Sequence, residues 1–189
     1  MSGDDDRSRT PDPTPSADDW RVEWSRSVAA GDTAVGYDRL TRPDGDRTGR
    51  GWVERGASVA VVARYDDQVV FVEEYRPRLR ETVLSCPVGS VEGEETMKTA
   101  AHRELREETG FVADRVEVLA EHYPVAWLRS RRGVVFAHGA TPGEQDTDSD
   151  EFVDVRLVPV AEALDRAREE PQTAWTLLPL LLAREADLL

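Results

Sequence analysis

Three glutamates, Glu104, Glu107 and Glu108, crowd into the stretch "RELREETGF", residues 103–111, which turns at Gly110. On a helix with ~100° per residue, Glu104 and Glu108 lie about 40° apart, and Glu107 lies about 60° to the other side of Glu104. The three carboxylates then share one face that spans roughly 100°. Like charges one turn apart cost a helix roughly 0.2–0.5 kcal/mol per pair, and a bound cation would offset that cost. Oxygen-only donors on a rigid helix suit hard ions such as Mg²⁺ or Mn²⁺. Zinc would want His or Cys, and calcium a flexible loop with more oxygens. His102 points about 100° away from Arg103 and is not counted as a ligand. The competing reading of these acids is a solvated helix face.

The element that must hold them is the helix "TMKTAAHRELREETG". Thr96 can cap its N-terminus. Met97, Ala100, Ala101, Leu105 and Thr109 form an apolar stripe, and Gly110 stands where a left-handed C-cap is wanted. Two β-branched runs around "YDDQ" in "ASVAVVARYDDQVVFVEEYR" predict a hairpin of partly buried strands. "TVLSCPVG", "RVEVLAEHYP", "GVVFAHGAT" and "FVDVRLVP" predict further strands. "VAEALDRAREE" predicts a helix broken by Pro171, and "TAWTLLPLLLAREADLL" a last apolar helix kinked at Pro179. Strands and helices mix without strict alternation, which predicts a mixed sheet between helices. Residues 1–18, rich in Pro, Ser and Asp, are expected to be a disordered acidic tail. Residues 19–55 predict a small antiparallel β subdomain, and 56–189 the main domain.

The chain has 189 residues and a formal net charge of −14, with Lys98 its only lysine. So acidic a surface repels nucleic-acid backbones and anionic membranes. Neither is expected as a partner. A small anionic substrate remains compatible if a cation accompanies it. The acid-rich, lysine-poor composition resembles that of proteins from salt-loving organisms, where screening removes most self-repulsion. No apolar run reaches the ~18 residues of a membrane span, and "MSGDDDRSRT" does not read as a secretory signal. Cys86 has no partner for an internal disulfide and reads as a small buried residue, so a cytoplasmic location is expected.

Outward from the helix the spacing is fixed. Gly89 is followed by five residues, Glu95, seven residues, then Arg103, Glu104, Leu105, Glu107, Glu108, Gly110 and Phe111. This pattern resembles the Nudix box at every fixed position. The resemblance implies a Nudix-type α/β/α sandwich with a mixed sheet and hydrolysis of a nucleoside diphosphate linked to a group X, with Mg²⁺ or Mn²⁺. It implies Glu104 and Glu108 as main metal ligands, Glu107 in support or on a further ion, and the Val88 carbonyl beside them. Glu95 and Arg103 would tie loop to helix, while Gly89 admits close backbone approach and Gly110 ends the helix.

"VVFVEEYRPR", "SCPVGSVEGEE" and "GEQDTDSDEFVDV" further resemble the ADP-ribose pyrophosphatase branch. That likeness implies Arg76 on the substrate's phosphates and Glu151 as general base, with Glu144 next. It also implies a nucleotide-sugar substrate and a homodimer built through the N-terminal strands. Two departures stand out. "HYPVAWLRSRRG" replaces the branch's Ser-Pro-Gly-like turn, and Ser85 replaces an acid that helps bind metal or water. The basic run "RSRR", residues 129–132, and Trp127 fall in the altered loop. The alternative reading is a module that keeps the fold and binds nucleotide sugars without turnover. Cleavage of RNA ends is disfavoured by the net charge.

Overall fold

The computed structural model describes residues 19–146, 152–169 and 171–189. They form two compact units that divide between Glu54 and Arg55. The first is a sheet in the order β1 (Arg21–Ala30), β2 (Thr33–Thr41), β3 (Arg47–Arg55). β1 and β2 are antiparallel and turn at Gly31, whose φ of 60° glycine adopts without steric cost. The carboxylate of Asp38, 6% exposed, accepts from Ser25 Oγ at 2.6 Å and from the Trp52 indole N–H at 2.7 Å. Along β1 itself every residue is exposed.

The second unit starts with the expected hairpin, β4 (Ser58–Tyr65) and β5 (Gln68–Arg76), which turns on Asp66 with φ 51°. β6 (Glu81–Ser85) pairs with β5, and β7 (Val88–Ser90) with β4. Then come α1 (Met97–Thr109), β8 (Phe111–Val112), β9 (Arg115–His122), β10 (Leu128–Arg129), β11 (Arg132–His138) and β12 (Thr141–Pro142). β13 (Val153–Pro159), α2 (Val160–Arg166) and α3 (Ala174–Glu185) complete the chain. The main sheet runs β13-β5-β4-β11-β9. β4 and β11 are parallel, while β5–β4, β5–β13 and β11–β9 are antiparallel. The sheet is therefore mixed, as the pattern predicts.

Helices cover both faces, which is why β4 reads as a continuous apolar run. Val59, Val61 and Ala63 pack with Ala101 and Leu105 of α1. Ala60 and Val62, one residue out of phase, pack with Leu180 and Ala183 of α3. Val59 through Ala63 are all fully buried. The α/β/α layering thus follows from period-2 alternation in a strand whose two faces are both apolar. Leu105 anchors α1; truncating such a fully buried leucine costs about 2–5 kcal/mol. Cys86 lies wholly inside, and burial pushes its thiol up to about 12.

α2 stops at Arg166, short of the break expected at Pro171. Ala163 and Ala167 are its last buried residues. Beyond them Arg168 and Glu169 face solvent, so neither adds an apolar contact that would extend the helix. α3 runs past Pro179 without interruption. Among the described residues no helix is long and apolar enough to cross a membrane.

Candidate functional site

α1 has the predicted ends. Thr96 Oγ1 accepts from Thr99 N–H at 3.1 Å, and Gly110 takes φ 73° while its N–H reaches the Arg106 carbonyl. The helix presents its carboxylates inward. Glu104 is 6% exposed and Glu108 2%, so the reading of a solvated acidic face does not describe them. Glu107 is partly open and His102 is exposed.

Arg103 organises the acids around it. Its Nε donates to Glu95 Oε1 at 3.0 Å and its Nη2 to Glu95 Oε2 at 3.0 Å. Nη1 donates to Glu104 Oε1 at 2.8 Å and Glu107 Oε2 at 2.9 Å. Nη2 also reaches the Ser90 carbonyl at 2.7 Å. A planar guanidinium with five donors can serve three carboxylates and a carbonyl at once, which an ammonium cannot. Its carboxylate partners, Glu95 first, raise the pKa of Arg103, and the Arg103 guanidinium in turn holds Glu95 below the usual carboxylate range.

The sign of that second shift sets a pH dependence. A carboxyl with a depressed folded pKa contributes stability above its unfolded value and loses it as pH falls through the folded one. The Glu95–Arg103 tie is thus complete at neutral pH and released in acid, below the usual carboxylate range. In melts across pH 3–7, Glu95→Gln should lie below wild type at neutrality and converge with it at the acid end. Parallel curves would contradict this assignment.

The loop before α1 supplies the other wall. Val88 N–H donates to Glu108 Oε2 at 2.8 Å. At the next residue, a Cβ on Gly89 would come within 1.9 Å of the Glu104 carboxyl carbon. Gly89 is there because the carboxylate rests on bare backbone. The Glu104 carboxylate is the end of a flexible side chain, so Gly89→Ala should fold and displace it. We expect Mn²⁺ affinity of the purified variant to fall at least about tenfold, with the melting temperature within about 4 °C of wild type. Unaltered Mn²⁺ titration would show that Glu104 has no such role.

Strand alternation puts Val70, Val72, Glu74 and Arg76 on one face of β5, and Val70 belongs to the cluster under α1. Arg76, predicted to touch phosphate, pairs with Glu74 at 2.9 Å. Ser85 is the register partner of Val72 and shares that face. Its hydroxyl is the only buried side-chain polar atom without a hydrogen-bond partner among the described residues. A buried hydroxyl of that kind can still accept or donate one hydrogen bond.

Glu144 sits in the loop that abuts the C-terminal end of α1, where a Cβ on Gly110 would approach the Glu144 backbone carbon at 3.2 Å. Gln145 fastens this loop, its Nε2 donating to the Glu108 carbonyl at 2.7 Å. Sequence reasoning missed this contact, and no pattern around Gln145 signals it. Glu151 lies outside the described residues.

Among the described residues no three acidic, His or Cys side chains converge on one point as placed; Glu104 and Glu107 lean onto Arg103, and Glu108 onto the Val88 N–H. The donor chemistry still fits a hard cation. It is all oxygen, two of the carboxylates are buried, and the unpartnered Ser85 hydroxyl lies on the same side of the sheet.

Residues 54–181 match the NUDIX domain family. The chain is 31% identical over 137 residues to the methanol dehydrogenase activator of Bacillus methanolicus, covering 70% of this chain and 74% of that protein. It is 30% identical over 126 residues to ADP-ribose pyrophosphatase of Bacillus subtilis (strain 168), covering 65% and 68%. ADP compounds hydrolase NudE of Escherichia coli (strain K12) is 28% identical over 131 residues, covering 68% and 70%. The crystal structure of an ADP compounds hydrolase superposes with a TM-score of 0.80 over 92% of this chain and 96% of that one. At 23% identity this likeness shows a shared fold.

Proposed function

This chain belongs to the Nudix hydrolase family, and from that premise we propose that it hydrolyses the diphosphate bridge of a nucleoside diphosphate linked to X, with ADP-ribose or another nucleotide sugar as substrate. The observation that carries the reading is the burial of Glu104 and Glu108 side by side, with Gly89 cut back to make room for one of them. Arg103 supplies one positive charge, to Glu104 at 2.8 Å, and a divalent cation would offset more of the cost of burying two carboxylates together. Two relatives whose names specify ADP-ribose and ADP compounds support the substrate class.

Glu104 and Glu108 would hold Mg²⁺ or Mn²⁺, with Glu107 and the Val88 carbonyl as the further donors that the box resemblance implies. When bound, the ion supplies Lewis acidity and a water of lowered pKa. The chain's residues do the rest. Arg103 fixes the rotamers of Glu104 and Glu107 against Glu95, which leaves little to reorganise as the reaction proceeds. Arg76 turns from Glu74 toward phosphate, where a guanidinium can bind two oxygens. A carboxylate takes the proton of the attacking water; Glu107 and Glu151 are the assigned candidates, with Glu144 next.

The test is incubation with ADP-ribose and Mg²⁺, with products resolved by mass. AMP and ribose 5-phosphate are expected, and Glu107→Gln should lose at least about 100-fold. If no nucleoside diphosphate in a broad panel is cleaved faster than by that variant, the proposal fails. A second reading is a non-catalytic sensor, favoured by a relative whose name is that of an activator. Tight ADP-ribose binding by calorimetry with no product over hours would select it.

We also propose a homodimer. Its support is β1, an edge strand exposed throughout, with Val22 62% and Val28 78% exposed. Edges of that length attract a second strand. Light scattering should return twice the 21.1 kDa chain mass; a monomer at micromolar concentration would exclude it.

A further inference from the structure

One cavity of the second unit, of about 550 Å³, lies outside the carboxylate face and is used by nothing above. Its lining includes Arg55, Arg129 and Arg131 with Tyr123, Ser130 and Ala57, and no acidic side chain. Three guanidinium groups around one hollow are unexpected in a chain of net charge −14. Arg131 lies over the Tyr123 ring at 5.4 Å, and its ion pair with Glu121 is long, at 3.6 Å, and solvent-exposed. A pair of that kind contributes about 0–1 kcal/mol and leaves the Arg131 guanidinium open to solvent. Arg132, next in sequence, turns away to stack on Trp175 at 4.8 Å and to donate to Ser58 Oγ. Its pKa is lowered, first by burial and then by the positive charge of Arg55. Arg55 and Arg132 are therefore close enough to repel.

Hydrogen bonds connect the cavity to the carboxylate site. Ser130 Oγ donates to the Gly56 carbonyl at 2.7 Å. The Ala57 carbonyl accepts from Val91 N–H at 2.9 Å, and the neighbouring Ser90 carbonyl accepts from Arg103. Gly89, on which Glu104 rests, pairs with Val59. From Ala57 to Val59 the strand advances about 7 Å at ~3.3 Å per residue. That is the scale of one sugar step along a nucleotide. A diphosphate on the carboxylate face would leave the arginine hollow to a different part of the same molecule.

We propose that this arginine-lined cavity binds a phosphate carried outside the scissile diphosphate, so that the favoured substrates are nucleoside diphosphate derivatives bearing an additional phosphomonoester. The inference rests on the hydrolase reading above. Guanidinium groups suit phosphate because their planar forks match two oxygens at once, and Tyr123 offers a flat apolar surface for the adjoining sugar or base. The basic run of the altered post-box loop thereby acquires a role in specificity.

The comparison uses ADP-ribose and ADP-ribose 2′-phosphate, which differ by one phosphate. Wild type should show a KM at least about tenfold lower for the phosphorylated substrate, a difference that shrinks as salt rises because the arginines are exposed. In Arg129→Gln/Arg131→Gln the ratio of the two KM values should collapse toward one, while kcat for the phosphorylated substrate changes less than about twofold. Direct binding provides a readout apart from turnover. Adenosine 2′,5′-bisphosphate should bind wild type at least about tenfold tighter than AMP by calorimetry, and the double variant should lose that margin. Both positions are exposed, and a melt confirms that the variant folds. If wild type cleaves both substrates with equal KM, or the double variant keeps the preference, this proposal is overturned while the hydrolase reading stands. If neither these substrates nor a broad panel is cleaved, but the bisphosphate preference and its loss are seen by calorimetry, the hydrolase reading fails and the anion site stands.

Discussion

Glu108→Gln should lower kcat/KM for the nucleotide substrate about 10³-fold while the melting temperature holds or rises. The loss corresponds to about 4 kcal/mol at 1.36 kcal/mol per tenfold change. The amide keeps an oxygen to accept from the Val88 N–H, as Glu108 does at 2.8 Å, so the local fold survives. What disappears is a negative charge in a position 2% exposed, one turn from the buried Glu104. Removing one of two like charges from a low-dielectric site relieves repulsion and desolvation. A residue kept for stability would show the reverse, a fall in melting temperature with activity lost only in proportion to the unfolded fraction. The measurement is a paired one, steady-state kinetics and a thermal melt on the same preparation. A variant with activity within tenfold of wild type would remove Glu108 from the site.

Arg103→Ala should be the most destabilising change among the charged residues of the box, about 3 kcal/mol. Breaking a buried ion pair from one side costs about 3–5 kcal/mol; the lower end applies because the Arg103 side chain is 23% exposed. For a chain of this length the melting temperature falls by roughly 6–12 °C. The substitution strands Glu104 without its 2.8 Å donor and frees the Ser90 carbonyl and Glu95 together. Activity should fall with it, because Glu104 and Glu107 lose a common anchor. Lysine should not restore either property, since a single ammonium cannot reproduce the fork. Full rescue of stability by Arg103→Lys would show that only the charge matters.

Much of this arrangement was legible before any coordinates. α1 lies between Thr96 and Gly110 because a hydroxyl cap and a left-handed glycine are local devices, written in the residues that perform them. The β4–β5 hairpin was legible for the same reason, as two β-branched runs meeting at Asp66-Asp67. The common face of Glu104, Glu107 and Glu108 followed from helical geometry alone. Their burial did not, because a helical wheel says which way a side chain points but not what covers it; the cover is β7, distant from Glu108 by a loop and a helix. The end of α2 was misplaced because Pro171 is a conspicuous breaker, whereas the loss of buried contacts after Ala167 has no single-residue mark. Gln145 on the Glu108 carbonyl and the grouping of Arg55 with Arg129 and Arg131 are long-range contacts between segments with no shared periodicity.

The inaccessible thiol of Cys86, with a pKa pushed to about 12, makes the native protein blind to maleimides and other sulfhydryl reagents. Any cysteine engineered onto the surface would then be the sole point of attachment, with no need for a thiol-free background. A dye on a cysteine introduced at position 127, beside the arginine hollow, would report on that loop with Cys86 left in place.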